Sequence, residues 1–268
     1  MTEGGEELDG MVLPGGESTA MGLIGTSTKV GASGKNMWEA IREFIDVDKK
    51  PTWGTCAGMI LLAERCVGAS AVIEDGQALI GGMDILVCRN YFGSQVSSFE
   101  MATPPPPTTT NNESDDSHSY PGVFIRAPAI LSAGQDVTVL GKVVATPCRQ
   151  AAVVLQELER KIENGETVVQ MGVVDALERD SSQLRYRAVI KPPKESQEEE
   201  KKEMNGSEKN SEGETTIELP GAADGSNARE VICAVQKNNI LCTAFHPELT
   251  NDIRWHQYFA KMVQESMA

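Results

Sequence analysis

The stretch that most limits what this chain can fold into runs Lys50-Pro51-Thr52-Trp53-Gly54-Thr55-Cys56-Ala57-Gly58-Met59-Ile60-Leu61-Leu62-Ala63. It reads as a short strand, a cysteine between glycines, and an apolar helix. The spacing Gly54-x-Cys56-x-Gly58 is that of a nucleophile elbow with sulfur in place of oxygen. A nucleophile on so sharp a turn needs small neighbours, because the backbone is strained and a substrate must come close. The helix that follows aims free N–H groups and the positive end of its dipole at the cysteine, which favours thiolate over thiol. A buried cysteine at an ordinary strand–helix junction would leave the same string, so the catalytic reading needs partners elsewhere.

Near the C-terminus, Ile240 to Phe245 reads as a strand that runs into His246-Pro247-Glu248. A cysteine nucleophile needs a base, and the base needs a third group to orient its ring. His246 and Glu248 lie two apart, so in an extended segment they face the same side. Pro247 disfavours helix at His246. The bland reading is a surface turn; with the cysteine elbow present, Cys56, His246 and Glu248 together meet the logic of a triad.

Composition narrows the classes. A net charge of −15 argues against nucleic-acid partners, since little would offset phosphate repulsion. Six scattered cysteines, with no CxxC pair and no histidine cluster, suit a reducing compartment and argue against structural zinc. No metal or cofactor is expected. No signal peptide is legible and no apolar run approaches the roughly 18 residues of a membrane span, so a cytoplasmic protein without membrane contact is expected.

Along the chain, Asp9 to Leu13 reads as a strand ending in Pro14-Gly15-Gly16-Glu17-Ser18, a turn whose backbone N–H groups could hold an oxyanion or a polar substrate end, or simply a turn with a serine cap. Asn36 to Asp46 has helical apolar spacing. The helix after the cysteine is expected to reach about Arg65. Strands are expected at Ile80–Val87, Val96–Glu100, Gly122–Pro128 and Val137–Leu140. Residues 101–119, with four consecutive prolines, read as a low-complexity surface loop, with His118 solvated. Gln150–Ile162 reads as an amphipathic helix and Leu184–Ile190 as a short strand. Residues 191–227 are rich in Glu, Lys, Ser and Gly and are expected to be disordered. Order returns at Val231–Val235, Asn238-Asn239 turns into the strand before His246, and Thr250–Met267 is helical, with His256 serving packing or surface.

The strings Leu13-Pro14-Gly15-Gly16-Glu17-Ser18-Thr19, Gly54-Thr55-Cys56-Ala57-Gly58, Arg89-Asn90-Tyr91-Phe92-Gly93, Gly122 to Pro128 and Phe245 to Thr250 occur in that order. In them the chain resembles the glutaminase subunit of pyridoxal 5′-phosphate synthase, a family of class I glutamine amidotransferases. The resemblance implies a three-layer, flavodoxin-like α/β domain that hydrolyses L-glutamine and passes ammonia to a (β/α)₈-barrel synthase subunit for vitamin B6 synthesis. It assigns Cys56 as nucleophile, His246 as base and Glu248 as the group orienting it. It places Gly16, Glu17, Ser18, Arg89, Ile125 and Arg126 against the substrate. Guanidinium suits an amino-acid carboxylate, which agrees for both arginines. The Ala57 N–H is a natural oxyanion donor.

Two departures from the family pattern set further expectations. Relatives begin with a strand, a loop and a helix ahead of the Asp9–Leu13 strand, and no such segment is legible here, so one sheet edge is expected to be unpaired. Residues 144–229 hold a long insertion within a single domain spanning 1–268. The competing readings are a truncated, catalytically impaired interaction protein of the same complex, and a cysteine hydrolase acting on another γ-glutamyl amide. The arginine strings speak against the last.

Overall fold

The computed structural model describes residues 2–3, 6–31, 34–68, 78–93, 98–107, 119–163, 174–180, 185–190, 215–219 and 228–268. Its principal elements, in chain order, are β1 (Met11–Leu13), α1 (Ser18–Ser27), α2 (Met37–Asp46), β2 (Thr52–Thr55), α3 (Ala57–Leu62), β3 (Ala63–Val67), β4 (Met83–Cys88), β5 (Phe99–Thr103), β6 (Tyr120–Phe124), β7 (Ala129–Ala133), β8 (Thr138–Ala145), α4 (Arg149–Glu163), β9 (Val174–Asp180), β10 (Arg185–Ile190), β11 (Thr215–Leu219), β12 (Arg229–Lys237), β13 (Ile240–Thr243) and α5 (Arg254–Ser266).

A mixed sheet runs β1-β2-β13-β12-β7-β4-β3, with β8 also paired to β12. Strands β1, β2 and β13 are parallel and in register: Leu13 and Thr243 flank β2 at Gly54 and Thr55. Every residue of β2 and β13 is buried, as expected of parallel strands covered on both faces. Trp53, Met59, Leu61, Leu62, Leu241 and Trp255 fill the core around them. At the other end of this row β1 pairs, among the described residues, only with β2, and Val12 is 49% exposed. Helix α2 begins at a reciprocal cap, in which Asn36 Oδ1 accepts from the Glu39 N–H (2.9 Å) and Glu39 Oε2 accepts from the Asn36 N–H (2.7 Å).

Several boundaries differ from the sequence reading. The helix after Cys56 ends at Leu62 rather than near Arg65, because Ala63 to Val67 pairs in parallel with β4. Buried Arg65 there forms an ion pair with Asp84 of β4, so tertiary pairing overrides the helical pattern. The loop expected over 101–119 is shorter: Met101–Thr103 completes β5, which pairs antiparallel with β6, and Thr103 Oγ1 donates to the Tyr120 carbonyl at 3.1 Å. Within the 191–227 run expected to lack order, Thr215–Leu219 forms β11, antiparallel to β10 and continuing the β9–β10 pair. The rest of that run, and His118, lie outside the described residues.

Close packing of α3 on β1 depends on Gly58. A Cβ built there would sit 2.0 Å from the Leu13 carbonyl oxygen. That oxygen is backbone and cannot rotate away. Gly58→Ala should therefore destabilise the domain by about 1–3 kcal/mol, read as a lower urea midpoint. A midpoint equal to wild type would mean that α3 does not press on β1.

Candidate active site

Parallel strands that end together deliver their loops to one place. Loop 14–17 leaves β1, Cys56 follows β2, and His246 comes three residues after β13. The Cys56 N–H donates to the Thr243 carbonyl at 2.9 Å, tying the elbow to the strand that carries the histidine. Cys56 itself has φ 49 and ψ −102, a left-handed conformation that a side chain adopts only under constraint.

His246 is held from both sides. Its N–H donates to the Val123 carbonyl at 2.8 Å. The preceding Phe245 packs on Tyr120, Phe124 and Trp255, with ring centroids 5.4–5.9 Å apart. The ring Nδ1 lies 2.7 Å from Glu248 Oε1; a carboxylate only accepts, so Nδ1 carries the proton and Nε2 is left to act as base. The expected extended segment is instead one 3-10 turn, Pro247–Leu249, which still returns Glu248 to the ring. The ring also lies against loop 14–17: a Cβ at Gly15 would come within 2.3 Å of His246 Cε1.

Burial of the Cys56 thiol, which is 6% exposed, pushes its pKa up to about 11. The Ala57 N–H is the largest opposing influence, the Glu248 charge adds to the rise, and Arg126 and the Gly16 N–H oppose it. Here the structure corrects the expectation of a resting thiolate: the dipole and N–H groups at the elbow do not outweigh loss of water. Two backbone donors, Ala57 and Gly16, are aimed at the sulfur, which makes Gly16 a second candidate oxyanion donor.

A cavity of about 630 Å³ opens over the sulfur. Gly16, Glu17, Ser18, Cys56, Arg89, Ile125, Arg126 and His246 all line it; Ala57 flanks the nucleophile, and Glu248 reaches the cavity through the histidine. Eight of the expected site residues thus line one cavity, while Ala57 and Glu248 adjoin it through Cys56 and His246. Arg89 extends from the end of β4, where Nη2 donates to Thr19 Oγ1 (3.0 Å) and lies 3.7 Å from Glu17 Oε1. Burial works against the Glu17 anion, but hydrogen bonds from Ala20 and Thr19, with the Arg89 charge, hold its carboxyl below the usual range. Glu17, not Ser18, caps α1, accepting from the Ala20 N–H at 2.7 Å. Arg126 sits at φ 46 on the turn after β6.

Sequence reasoning missed Gly15, Thr19 and one whole wall. That wall is the start of α4, where Arg149, Gln150, Val153 and Val154 face the cavity beside Asn90. The amphipathic pattern of α4 was legible, but its destination depends on distant contacts. The Cys148 N–H donates to the Tyr91 carbonyl (2.7 Å), the Cys148 thiol to the Asn90 carbonyl (3.2 Å), and Asn90 Nδ2 to Gln150 Oε1 (3.3 Å).

A cysteine on the elbow of such a fold defines the broad class of α/β thiol hydrolases. Within that class the chain belongs to the SNO glutamine amidotransferase family, whose pattern matches residues 1–164 and 214–265. It is 36% identical over 255 residues to the probable pyridoxal 5′-phosphate synthase subunit PDX2 of Arabidopsis thaliana, covering 95% of this chain and 71% of that one. The probable pdx2 subunit of Dictyostelium discoideum is 31% identical over 258 residues, with the same two shares. A PdxT subunit of Methanocella arvoryzae is 29% identical, covering 95% of this chain and 77% of its own. A crystal structure of a glutamine amidotransferase aligns over 97% of this chain and 82% of its own with TM-score 0.51 and 22% identity, which supports the fold. Among the described residues no helix is long and apolar enough to cross a membrane, and no cluster of metal-ligating side chains occurs.

With a thiol pKa near 11, the thiolate fraction rises about tenfold per pH unit below that value. Iodoacetamide modification of Cys56, followed by peptide mapping, should climb accordingly from pH 8 to 10. A rate that is level across this range would reveal a resting thiolate and overturn the buried-thiol assignment.

Proposed function

We propose that this chain is a single glutaminase domain in which Cys56, His246 and Glu248 hydrolyse L-glutamine to glutamate and ammonia. Cys56 Sγ attacks the side-chain amide carbon, and its proton passes to His246 Nε2. The Ala57 and Gly16 N–H groups receive the negative charge that forms on the amide oxygen. Collapse of that adduct breaks the C–N bond, and His246 returns its proton to the departing nitrogen as ammonia leaves. Water, deprotonated by His246 Nε2, then attacks the glutamyl thioester carbon; the C–S bond breaks, glutamate leaves, and His246 returns the proton to Cys56 Sγ to restore the thiol. Glu248 holds the ring and offsets the imidazolium charge.

Glutamine carries an α-ammonium and an α-carboxylate, and the cavity offers Glu17 and Arg89 side by side for that pair. Gly16, Ser18, Ile125 and Arg126 complete the substrate contacts. The observation that carries this reading is the convergence of Cys56, a carboxylate-steered His246 and an Arg–Glu pair on one cavity. Because the relatives are named as subunits of pyridoxal 5′-phosphate synthase, we assign the partner as its (β/α)₈-barrel subunit, which takes up the ammonia in the cytoplasm. The loop between Thr103 and Tyr120 and the insertion, narrowed from about 144–229 to the 165–213 that the family pattern omits, are elaborations of the same domain. Neither nucleic acid nor membrane is a partner.

Glutamine hydrolysis by the full chain with excess barrel subunit tests this reading. Cys56→Ala and His246→Ala should each lower kcat by about 10³-fold or more, and Glu248→Gln by less. A glutamine-analogue alkylator should label Cys56 alone. Turnover surviving in Cys56→Ala, or labelling at Cys66 or Cys242, would reject the assignment.

A further inference from the structure

The cavity is larger and more cationic than glutamine requires. Glutamine displaces about as much space as six waters, roughly 180 Å³ at ~30 Å³ each, while the cavity holds about 630 Å³. Its lining carries three guanidiniums, Arg89, Arg126 and Arg149, against one carboxylate, Glu17. This lies in a chain whose net charge is −15. On the glutaminase reading, Arg89 and Glu17 match the α-carboxylate and α-ammonium, Arg126 is a further substrate contact, and Arg149 is left unmatched. Arg126 projects from the turn beside the nucleophile and influences the Cys56 sulfur. Arg149 belongs to the first turn of α4, at the wall bonded to Asn90, the residue after Arg89. Arg149 is exposed and makes no ion pair among the described residues.

We propose that Arg149, with Gln150 and Asn90 beside it, forms an anion subsite adjoining the α-carboxylate end of the glutamine site. A compact oxyanion, carboxylate or phosphate, fits it: guanidinium meets such groups with paired N–H donors, and the Gln150 and Asn90 amides supply neutral polar contacts. Val153 and Val154 form the apolar flank and would cover whatever short carbon skeleton carries the anion. The oxyanion has two possible sources. It is either free and bound alongside glutamine, or attached to a longer amide substrate whose N-terminal residue is glutamine.

Inorganic phosphate and the dipeptide L-glutaminylglycine separate these. Phosphate titration by calorimetry needs no turnover, so it stands apart from the glutaminase assignment. If the ion is free, phosphate should bind the full chain saturably. It should still bind after Cys56 has been alkylated by a glutamine analogue, and Arg149→Gln should weaken it about tenfold or more, with Arg149→Lys weakening it less. If the ion is attached, phosphate should not bind saturably, and Arg149→Gln should lower kcat/KM for L-glutaminylglycine about tenfold more than for glutamine. Thermal midpoints of the variants control for folding. Phosphate binding abolished by alkylation would place the ion on Arg89 and overturn the proposal. So would equal phosphate affinity in wild type and Arg149→Gln, or absence of both the phosphate and the dipeptide effect.

Discussion

The site rests on one constraint: β1, β2 and β13 are parallel and in register. Thr55 is paired to Thr243 and Gly54 to Leu13, so the chain segments that follow are released at the same level of the sheet. A slip of one residue would turn every side chain of a strand to the opposite face. It would also move the Cys56 N–H off the Thr243 carbonyl. The register is fixed in turn by burial. Both faces of β2 and β13 are packed, and the Trp53 indole N–H donates to Thr243 Oγ1 at 3.1 Å across the pair. Glycine is demanded where a Cβ has no room: Gly58 against the Leu13 backbone and Gly15 against the His246 ring.

Burial sets the chemistry as well as the geometry. The elbow that sets the sulfur at the cavity also strips water from it, and desolvation outweighs the N–H groups and the helix end. Burial therefore favours the protonated thiol, so a base beside it would be needed to draw its proton. That division of labour gives the histidine its importance, and the histidine depends on Glu248 at 2.7 Å and on the aromatic cluster behind Phe245. The hairpin β5–β6 supplies much of that cluster and also the Val123 carbonyl that fixes the His246 backbone. A region that reads from sequence as a proline-rich loop thus begins in β5 and leads into β6, the strands that hold His246 in place.

The catalytic strings were legible because each is local: an elbow, a glycine turn, and a histidine two residues from a glutamate. Their chemistry is written in neighbouring residues. What was not legible depends on pairing across the chain. Ala63 to Val67 has helical company on its N-terminal side, yet pairs with β4 and sets Arg65 against Asp84. Thr215–Leu219 lies in a polar run, yet adds to β10, because backbone pairing needs no apolar side chain to define it. Glu17 takes the helix cap that Ser18 was equally able to take, and so becomes both cap and partner of Arg89.

Helix α4 shows how such non-local contacts enlarge a site. Its own sequence says only that one face is apolar; Ala151 and Leu155 turn that face into the core. The three contacts from Cys148 and Gln150 to the 90–91 turn then bring Arg149 to the cavity rim. That turn also begins with Arg89, whose guanidinium reaches Thr19 on α1. The Arg89 end of the pocket is therefore clasped by α1 on one side and α4 on the other, through a single short loop. A shift of α4 against that loop would alter both the cavity's size and the setting of Arg89. The region after α4, which the family pattern omits at 165–213, is tethered to the helix that shapes one wall of the cavity over Cys56.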